Sequence, residues 1–313
     1  MTSRPHLLIT NNFHAPTIEK LDSLFQIHCL WKLDVKDQKQ LVTELNGSCK
    51  AVASGSWDCN DLIYKLDSLA IIAAYGVGVD GIDLVRAKQN NIKVTNTPDV
   101  LNDDVADVAL LLILATTRNI VNADHYVRSG HWANAPMAYG SGLAGRTLGI
   151  VGLGRIGEAV AERALPFKLK IAYHNRTRKI SKYTYFPSLL DLAKASDILV
   201  CVLPGGENTR NLINHEVLSA LGPEGILINI GRGSVIDEPA LIDLLSRNAI
   251  AGAGLDVYAT EPNVPLELRR LKNAVLLPHI GSATLETRHE MGELVIRNLV
   301  AYFSNQKLIS EVQ

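Results

Sequence analysis

Short apolar runs alternate with helix-like stretches along nearly the whole of this chain, and that alternation constrains its fold more than any other feature. Residues 6–10 read as a strand and 16–25 as an amphipathic helix; residues 26–30 and 37–45 repeat the pair. Strands over 50–53, 70–75 and 92–96 continue the series, separated by helices over 61–66 and 82–89. Repeated βα units predict a parallel sheet covered by helices on both faces. A second series of strands begins at Thr147, over residues 147–152, 170–174, 198–203, 225–230, 252–256 and 274–277.

Between the two series the rhythm changes at Thr97-Pro98. Proline disfavours a helical residue before it, which makes Thr97 a hinge. A long helix is expected over 103–117 with Asn102 as its cap. A less regular stretch, 125–145, follows and carries Trp132, Met137 and Tyr139. The last helix, 285–303, is assigned back to the first domain. The expected architecture is therefore two doubly wound α/β domains: residues 1–98 with 285–313, and an inserted domain over 99–284.

Composition narrows the function. The chain has 313 residues, enough for about two domains, and its net charge is -1. A nucleic-acid binder usually carries a basic excess, so no nucleic-acid partner is expected. The cysteines, Cys29, Cys49, Cys59 and Cys201, form no CxxC pair and suggest reduced thiols rather than a metal site. The N-terminus shows no signal-like pattern, and the apolar run 105–117 is broken by Asp107 and too short for a bilayer. A cytoplasmic protein without a membrane partner is expected.

The segment Thr147-Leu-Gly-Ile-Val-Gly-Leu-Gly-Arg-Ile-Gly157 has the order strand, glycine turn, helix start. Gly152, Gly154 and Gly157 permit a tight turn, close approach of a pyrophosphate, and close helix–strand packing; the helix N-terminus offers free N–H groups. The next strand, 170–174, arrives where a dinucleotide fold requires it. An acid at its end would bind the ribose hydroxyls of NAD. Here His174, Asn175, Arg176 and Thr177 stand there instead. A cation and a hydroxyl suit a 2′-phosphate, hence NADP; the alternative is a solvated basic turn.

Polar residues end several strands of the second series, where ligands of open parallel sheets bind. Arg232 follows one apolar strand, Glu261 lies in a loop after another, and His279 follows a third. Reduction of a keto acid needs an anchor for the substrate oxygens and a proton donor. Arg232 offers a bidentate fork. His279 can give a proton near neutral pH. Glu261, if close to His279, would orient it. Singly, each could be an ordinary surface or structural residue.

Taken together, Tyr75-Gly-Val-Gly-Val-Asp-Gly-Ile-Asp83, the glycine segment at 149–157, Asn229-Ile-Gly-Arg-Gly-Ser234, Gly254-Leu-Asp-Val-Tyr258, Glu261-Pro262 and Pro278-His-Ile-Gly-Ser-Ala-Thr284 resemble the D-isomer-specific 2-hydroxyacid dehydrogenase family over essentially the whole chain. The resemblance implies a Rossmann-type cofactor domain inserted in a flavodoxin-like substrate domain, with the active site between them. It assigns catalysis to Arg232, Glu261 and His279. Substrate binding falls to Arg232, to the backbone of Val77 and Gly78, and to Ser54. Cofactor binding falls to Gly152, Gly154, Arg155, Ile156, Gly157, Asn175, Arg176, Thr177, Leu203, Pro204, Thr209, Ile230, Gly231, Asp256 and Gly281. No metal is expected.

The same resemblance implies a homodimer built on residues 101–145. It also implies NADPH-dependent reduction of glyoxylate or hydroxypyruvate, with NAD a weaker cofactor. Trp57, Met137 and Tyr139 would narrow the site if all faced it. Two alternatives stand beside this reading: a reductase of a larger 2-keto acid such as 2-ketogluconate or an arylpyruvate, and a nucleotide-sensing binding protein or corepressor.

Overall fold

The computed structural model describes residues 4–55 and 59–312. They form two compact units: the chain up to Leu101 together with Thr284 onward, and Asn102–Ala283.

In the first unit, β1 (His6–Ile9), α1 (Ala15–Leu24), β2 (Gln26–Cys29), α2 (Val35–Glu44), β3 (Ala51–Gly55), β4 (Ile71–Tyr75), α3 (Leu84–Gln89) and β5 (Lys93–Thr95) build a five-stranded sheet. Its order is β2-β1-β3-β4-β5, and every pairing is parallel. This is the flavodoxin-like order. Leu7, Leu8, Ile9, Val52, Ile71 and Ile72 are fully buried, as strands covered on both faces must be. Helix starts follow local chemistry: the Asp34 carboxylate accepts from the N–H groups of Lys36 and Asp37, and that of Asp83 from Arg86.

The second unit opens with α4 (Asn102–Thr117) and α5 (Ile120–Arg128) and continues as β6 (Thr147–Val151), α6 (Arg155–Ala164), β7 (Lys170–His174), β8 (Thr184–Tyr185), α7 (Leu189–Lys194), β9 (Ile198–Cys201), α8 (His215–Ala220), β10 (Ile226–Asn229), α9 (Glu238–Ser246), β11 (Gly252–Leu255), α10 (Leu266–Arg269) and β12 (Ala274–Leu276). The strands form one parallel sheet in the order β12-β11-β10-β9-β6-β7-β8. That is the Rossmann order with an added strand, and its switch point lies between β6 and β9. The closing helix α11 (Leu285–Phe303) returns to the first unit, where Gly292 lets it approach α1; a Cβ there would lie 1.8 Å from Thr17 Oγ1.

Two expectations need correction. The stretch 125–145 is not irregular from its start, because α5 runs to Arg128. Its apolar residues Ile120, Val121 and Val127 are exposed, so no buried stripe marks the helix. The apolar helix α4 is not a free face either. Val105, Ala106, Ala109, Leu110, Leu112 and Ile113 are buried, and α4 packs on α6 and β11. Gly254 of β11 admits it, since a Cβ there would meet the Leu112 Cβ at 3.0 Å.

Candidate active site

The glycine turn between β6 and α6 shows why each glycine is required. Gly152 has φ +101°, and a Cβ there would meet the Val202 carbonyl oxygen at 2.8 Å. At Gly157 a Cβ would strike the Gly152 carbonyl oxygen, fixing how closely helix packs on turn. A Cβ at Gly154 would meet nothing within 4 Å. Gly154 is the N-cap of α6 with no side-chain cap, and it is exposed with Arg155. Open space over an uncapped helix start suits a pyrophosphate, so these residues fit a dinucleotide.

Asn175 serves this turn from the end of β7. Its Oδ1 accepts from the Leu153 N–H at 2.7 Å. The Tyr185 hydroxyl donates to the Asn175 carbonyl at 3.2 Å, and the Tyr173 hydroxyl donates to that of Lys179 at 2.9 Å. The turn is thus held at both ends while Arg176 and Thr177 stay exposed, and Arg176 makes no ion pair among the described residues.

The other cofactor-side positions lie at neighbouring strand ends. Ile230 and Gly231 follow β10 and are buried, and a Cβ at Gly231 would meet the Leu203 carbonyl oxygen at 2.5 Å. Ile156 is half-buried on α6. The Thr209 hydroxyl donates to the Pro204 carbonyl at 2.8 Å and shapes the loop after β9.

At the ends of β10, β11 and β12 the structure brings Arg232, Glu261 and His279 together. His279 Nδ1 lies 2.7 Å from Glu261 Oε2, and the Tyr258 N–H donates to Glu261 Oε1 at 3.0 Å. Burial pushes the Glu261 carboxyl up. The hydrogen bond and charge of His279, the Tyr258 N–H and the Arg232 charge outweigh it and hold Glu261 below its ordinary range.

Three residues that pattern reading did not assign to this work position the trio. Asn229 is fully buried; its Oδ1 accepts from the Gly231 N–H at 3.1 Å and its Nδ2 donates to the Arg232 carbonyl at 3.0 Å. Tyr258 donates its hydroxyl to the Leu277 carbonyl at 2.8 Å, tying the end of β11 to that of β12. Gly233 allows the Arg232 loop onto this segment, since a Cβ there would fall 1.8 Å from the Tyr258 carbonyl carbon. Asp256, expected at the cofactor, has both carboxylate oxygens engaged by the N–H groups of Ile280 (2.7 Å) and Gly281 (2.8 Å). It clamps the loop that carries His279. Asn229 and Asp256 stand out in the sequence as polar residues at the ends of wholly apolar strands.

In the first unit, the N–H groups of Val77 and Gly78 follow β4, are partly accessible, and donate to nothing among the described residues. Such a pair can hold a carboxylate. Ser54 is fully buried, and its hydroxyl accepts from Thr10 Oγ1 at 2.8 Å and donates to the Gly55 carbonyl at 2.9 Å. It shapes this sheet end from within.

Trp57 lies outside the described residues. Tyr139 is fully exposed and, with Tyr126, Arg146 and Lys272, lines a cavity of about 720 Å³ at the amino ends of β10–β12. It does not narrow the Arg232–His279 site of its own chain.

The model for "D-isomer specific 2-hydroxyacid dehydrogenase, NAD binding domain" matches residues 110–281. The chain is 45% identical to the glyoxylate/hydroxypyruvate reductase A of Arabidopsis thaliana over 298 residues, 94% of each chain. It is likewise 45% identical to the hydroxyphenylpyruvate reductase of Plectranthus scutellarioides over 297 residues, again 94% of each. A solved structure of the NADPH-dependent glyoxylate/hydroxypyruvate reductase of Sinorhizobium meliloti, with NADP and malonate, is 40% identical and has a TM-score of 0.91. The match covers 99% of this chain and 97% of that one.

The Glu261 carboxylate gives the first prediction. Its pKa is lowered by folding from 4.5, so the stability it contributes is complete above that value and is lost as the pH falls through the lower folded one. Glu261→Gln removes the contribution. The gap between wild-type and variant urea midpoints is therefore expected to be widest near neutral pH and to shrink as the pH falls below 4.5. A gap that stays constant to about pH 3 would show that the pair does not stabilise the fold.

Proposed function

The chain belongs to the D-isomer specific 2-hydroxyacid dehydrogenase family, and on that premise we propose that it reduces glyoxylate or hydroxypyruvate to the D-2-hydroxy acid with NADPH. The observation that carries this reading is the His279–Glu261 pair at 2.7 Å, set within the field of Arg232 at the ends of β10–β12. Relatives that share the fold over nearly its full length are named for this reaction.

The chemistry divides among the chain's own groups. The Val77 and Gly78 N–H groups and the Arg232 guanidinium bind the substrate carboxylate and carbonyl oxygen. When bound, the reduced nicotinamide supplies the hydride. His279 Nε2 gives its proton to the carbonyl oxygen as negative charge builds there. Glu261 accepts from Nδ1, fixing the ring and favouring its protonated form before the transfer. Gly152, Gly154, Gly157 and the start of α6 hold the dinucleotide phosphates, and Arg176 and Thr177 take the 2′-phosphate.

A second reading, reduction of an arylpyruvate, is favoured by the equal identity to a hydroxyphenylpyruvate reductase. NADPH oxidation with a panel of 2-keto acids separates the two. A higher kcat/KM for hydroxyphenylpyruvate than for both small acids would overturn the leading one. The buried thiols Cys49, Cys59 and Cys201 suit a cytoplasmic enzyme. We also propose a C2 homodimer. With α4 buried inside its own unit, the support is the exposed apolar set Leu111, Ile120, Val121, Val127, Trp132 and Tyr139 on α4, α5 and the following arm.

His279→Ala is expected to lower kcat by about 100-fold or more while NADPH affinity changes little; full turnover in the variant would remove His279 from the mechanism. In sedimentation at low micromolar concentration the protein is expected at twice its chain mass, and a species of 34.1 kDa alone would refute the dimer. NADPH is expected to be preferred over NADH by at least about tenfold in kcat/KM, the value of one charge-assisted hydrogen bond. Arg176→Ala should remove most of that preference by weakening NADPH binding, read directly by fluorescence titration. Equal losses with both cofactors would show that Arg176 supports the turn instead.

A further inference from the structure

The carboxyl edge of the first unit's sheet carries more hydrogen-bond donors than the binding of one carboxylate requires. Arg288 lies in the second turn of α11, half-buried, with its guanidinium carbon 5.9 Å from the centre of the Tyr75 ring. The Tyr75 hydroxyl donates to the Arg288 carbonyl at 2.6 Å and fixes this turn to the end of β4. Tyr75 itself is 1% exposed and stacks on Phe13 at 4.7 Å, so the platform under the guanidinium is rigid.

No carboxylate pairs with Arg288 among the described residues. Burial pushes the Tyr75 hydroxyl up to about 12 despite the charge of Arg288 and a hydrogen bond from its side chain, so the hydroxyl stays neutral and gives the guanidinium one acceptor and no counter-ion. His14 is held below its ordinary range by burial and then by the charges of His289 and Arg288, which marks this edge as electropositive. One neutral acceptor leaves most of a guanidinium's five N–H donors open.

A further donor stands just past the end of β1, the strand adjacent to β3 in the same sheet. Asn11 spends its Oδ1 within the fold, accepting from the Gly55 N–H at 2.8 Å with Thr10 Oγ1 at 2.7 Å. Its Nδ2 donates to nothing among the described residues. Tyr75 is separated from Val77 by one residue, so Arg288 stands beside the two free N–H groups rather than on them.

We propose that Arg288 is a specificity-determining residue that reads the tail of the substrate, accepting a 2-keto acid with an oxygen substituent at C3 in preference to one with a bare methyl group. The inference rests on the assignment of the chain as a 2-keto acid reductase that holds the substrate carboxylate on Val77 and Gly78. The guanidinium donates to the C3 oxygen, and the substrate thereby supplies an acceptor to the N–H groups that the Tyr75 hydroxyl leaves open. A site built to hydrogen-bond a substrate hydroxyl rejects the analogue lacking it, because its own donor is then left unpaired.

Hydroxypyruvate and pyruvate differ only in that hydroxyl, so the ratio of their kcat/KM values isolates it. Arg288→Met keeps the aliphatic stem against Tyr75 and removes the donor. It is expected to lower the hydroxypyruvate-to-pyruvate ratio by about 10- to 100-fold, mostly through KM for hydroxypyruvate. A purely structural role would lower both efficiencies together and leave the ratio unchanged. That result, or a ratio within threefold of wild type, overturns the proposal. Arg288→Lys carries the same test should the methionine variant not fold, with a smaller drop expected because the planar fork is lost. A wild-type enzyme that reduces neither acid overturns the functional assignment, and the role of Arg288 with it. A wild-type enzyme that reduces both, with an unchanged ratio in the variants, overturns the role of Arg288 alone.

Discussion

The catalytic geometry of the second unit hangs on one buried carboxylate. Asp256 is 1% exposed at the end of β11 and accepts from the Ile280 and Gly281 N–H groups, while its own carbonyl accepts from the His279 N–H at 2.9 Å. These bonds force the chain after β12 to wrap over the end of β11. His279 is held there at φ +53°, a conformation that costs a non-glycine residue on the order of 1–3 kcal/mol. Three hydrogen bonds to one buried residue, two of them charge-assisted, offset that cost. Only in this conformation does the imidazole meet Glu261. Remove the clamp and the loop has no reason to keep His279 left-handed.

The same arrangement recurs at the cofactor side with a neutral group. Asn175 ends β7 and holds the Leu153 N–H, so the glycine turn is pinned to the neighbouring strand rather than merely permitted by its glycines. Asn229 ends β10 and fixes the turn at Arg232 by one donated and one accepted bond. In each case a polar side chain at the carboxyl end of an apolar strand satisfies backbone groups of the next loop. Sheet and site are thereby one hydrogen-bonded object, and the reacting groups need little reorganisation.

How much of this was legible in the sequence follows from what kind of signal each feature leaves. The strands were legible because two-sided burial writes continuous apolar runs, as in Ile198–Cys201 and Ile226–Asn229. The glycine turn was legible because Gly152 and Gly157 admit no side chain where they sit. The helix α5 was not, because its apolar residues face outward and give no buried stripe. The two-residue strand β8 is too short to leave a pattern. The burial of Ser54 leaves no sequence signal, because position at a strand end does not tell which way a side chain turns. Asp256 was placed in the right neighbourhood, but its bonds to Ile280 and Gly281 span a sequence distance that no local pattern encodes.

At the candidate sites the groups left unpartnered among the described residues share a sign. Val77 N–H, Gly78 N–H and Asn11 Nδ2 in the first unit, and Arg176 in the second, are donors or cations, whereas the carboxylates of Glu261 and Asp256 are already engaged within the fold. A site whose acceptors are engaged and whose donors stay open suits ligands rich in anionic oxygen. A 2-keto acid brings a carboxylate and a carbonyl oxygen; NADPH brings a pyrophosphate and a 2′-phosphate. Both therefore supply what the folded chain lacks, and neither competes for the carboxylates that hold His279 in place. Glu261 is held below its ordinary range, against its burial, by the hydrogen bond and charge of His279, the Tyr258 N–H and the Arg232 charge, so the groups that favour its ionised form all belong to the fold and none to a ligand.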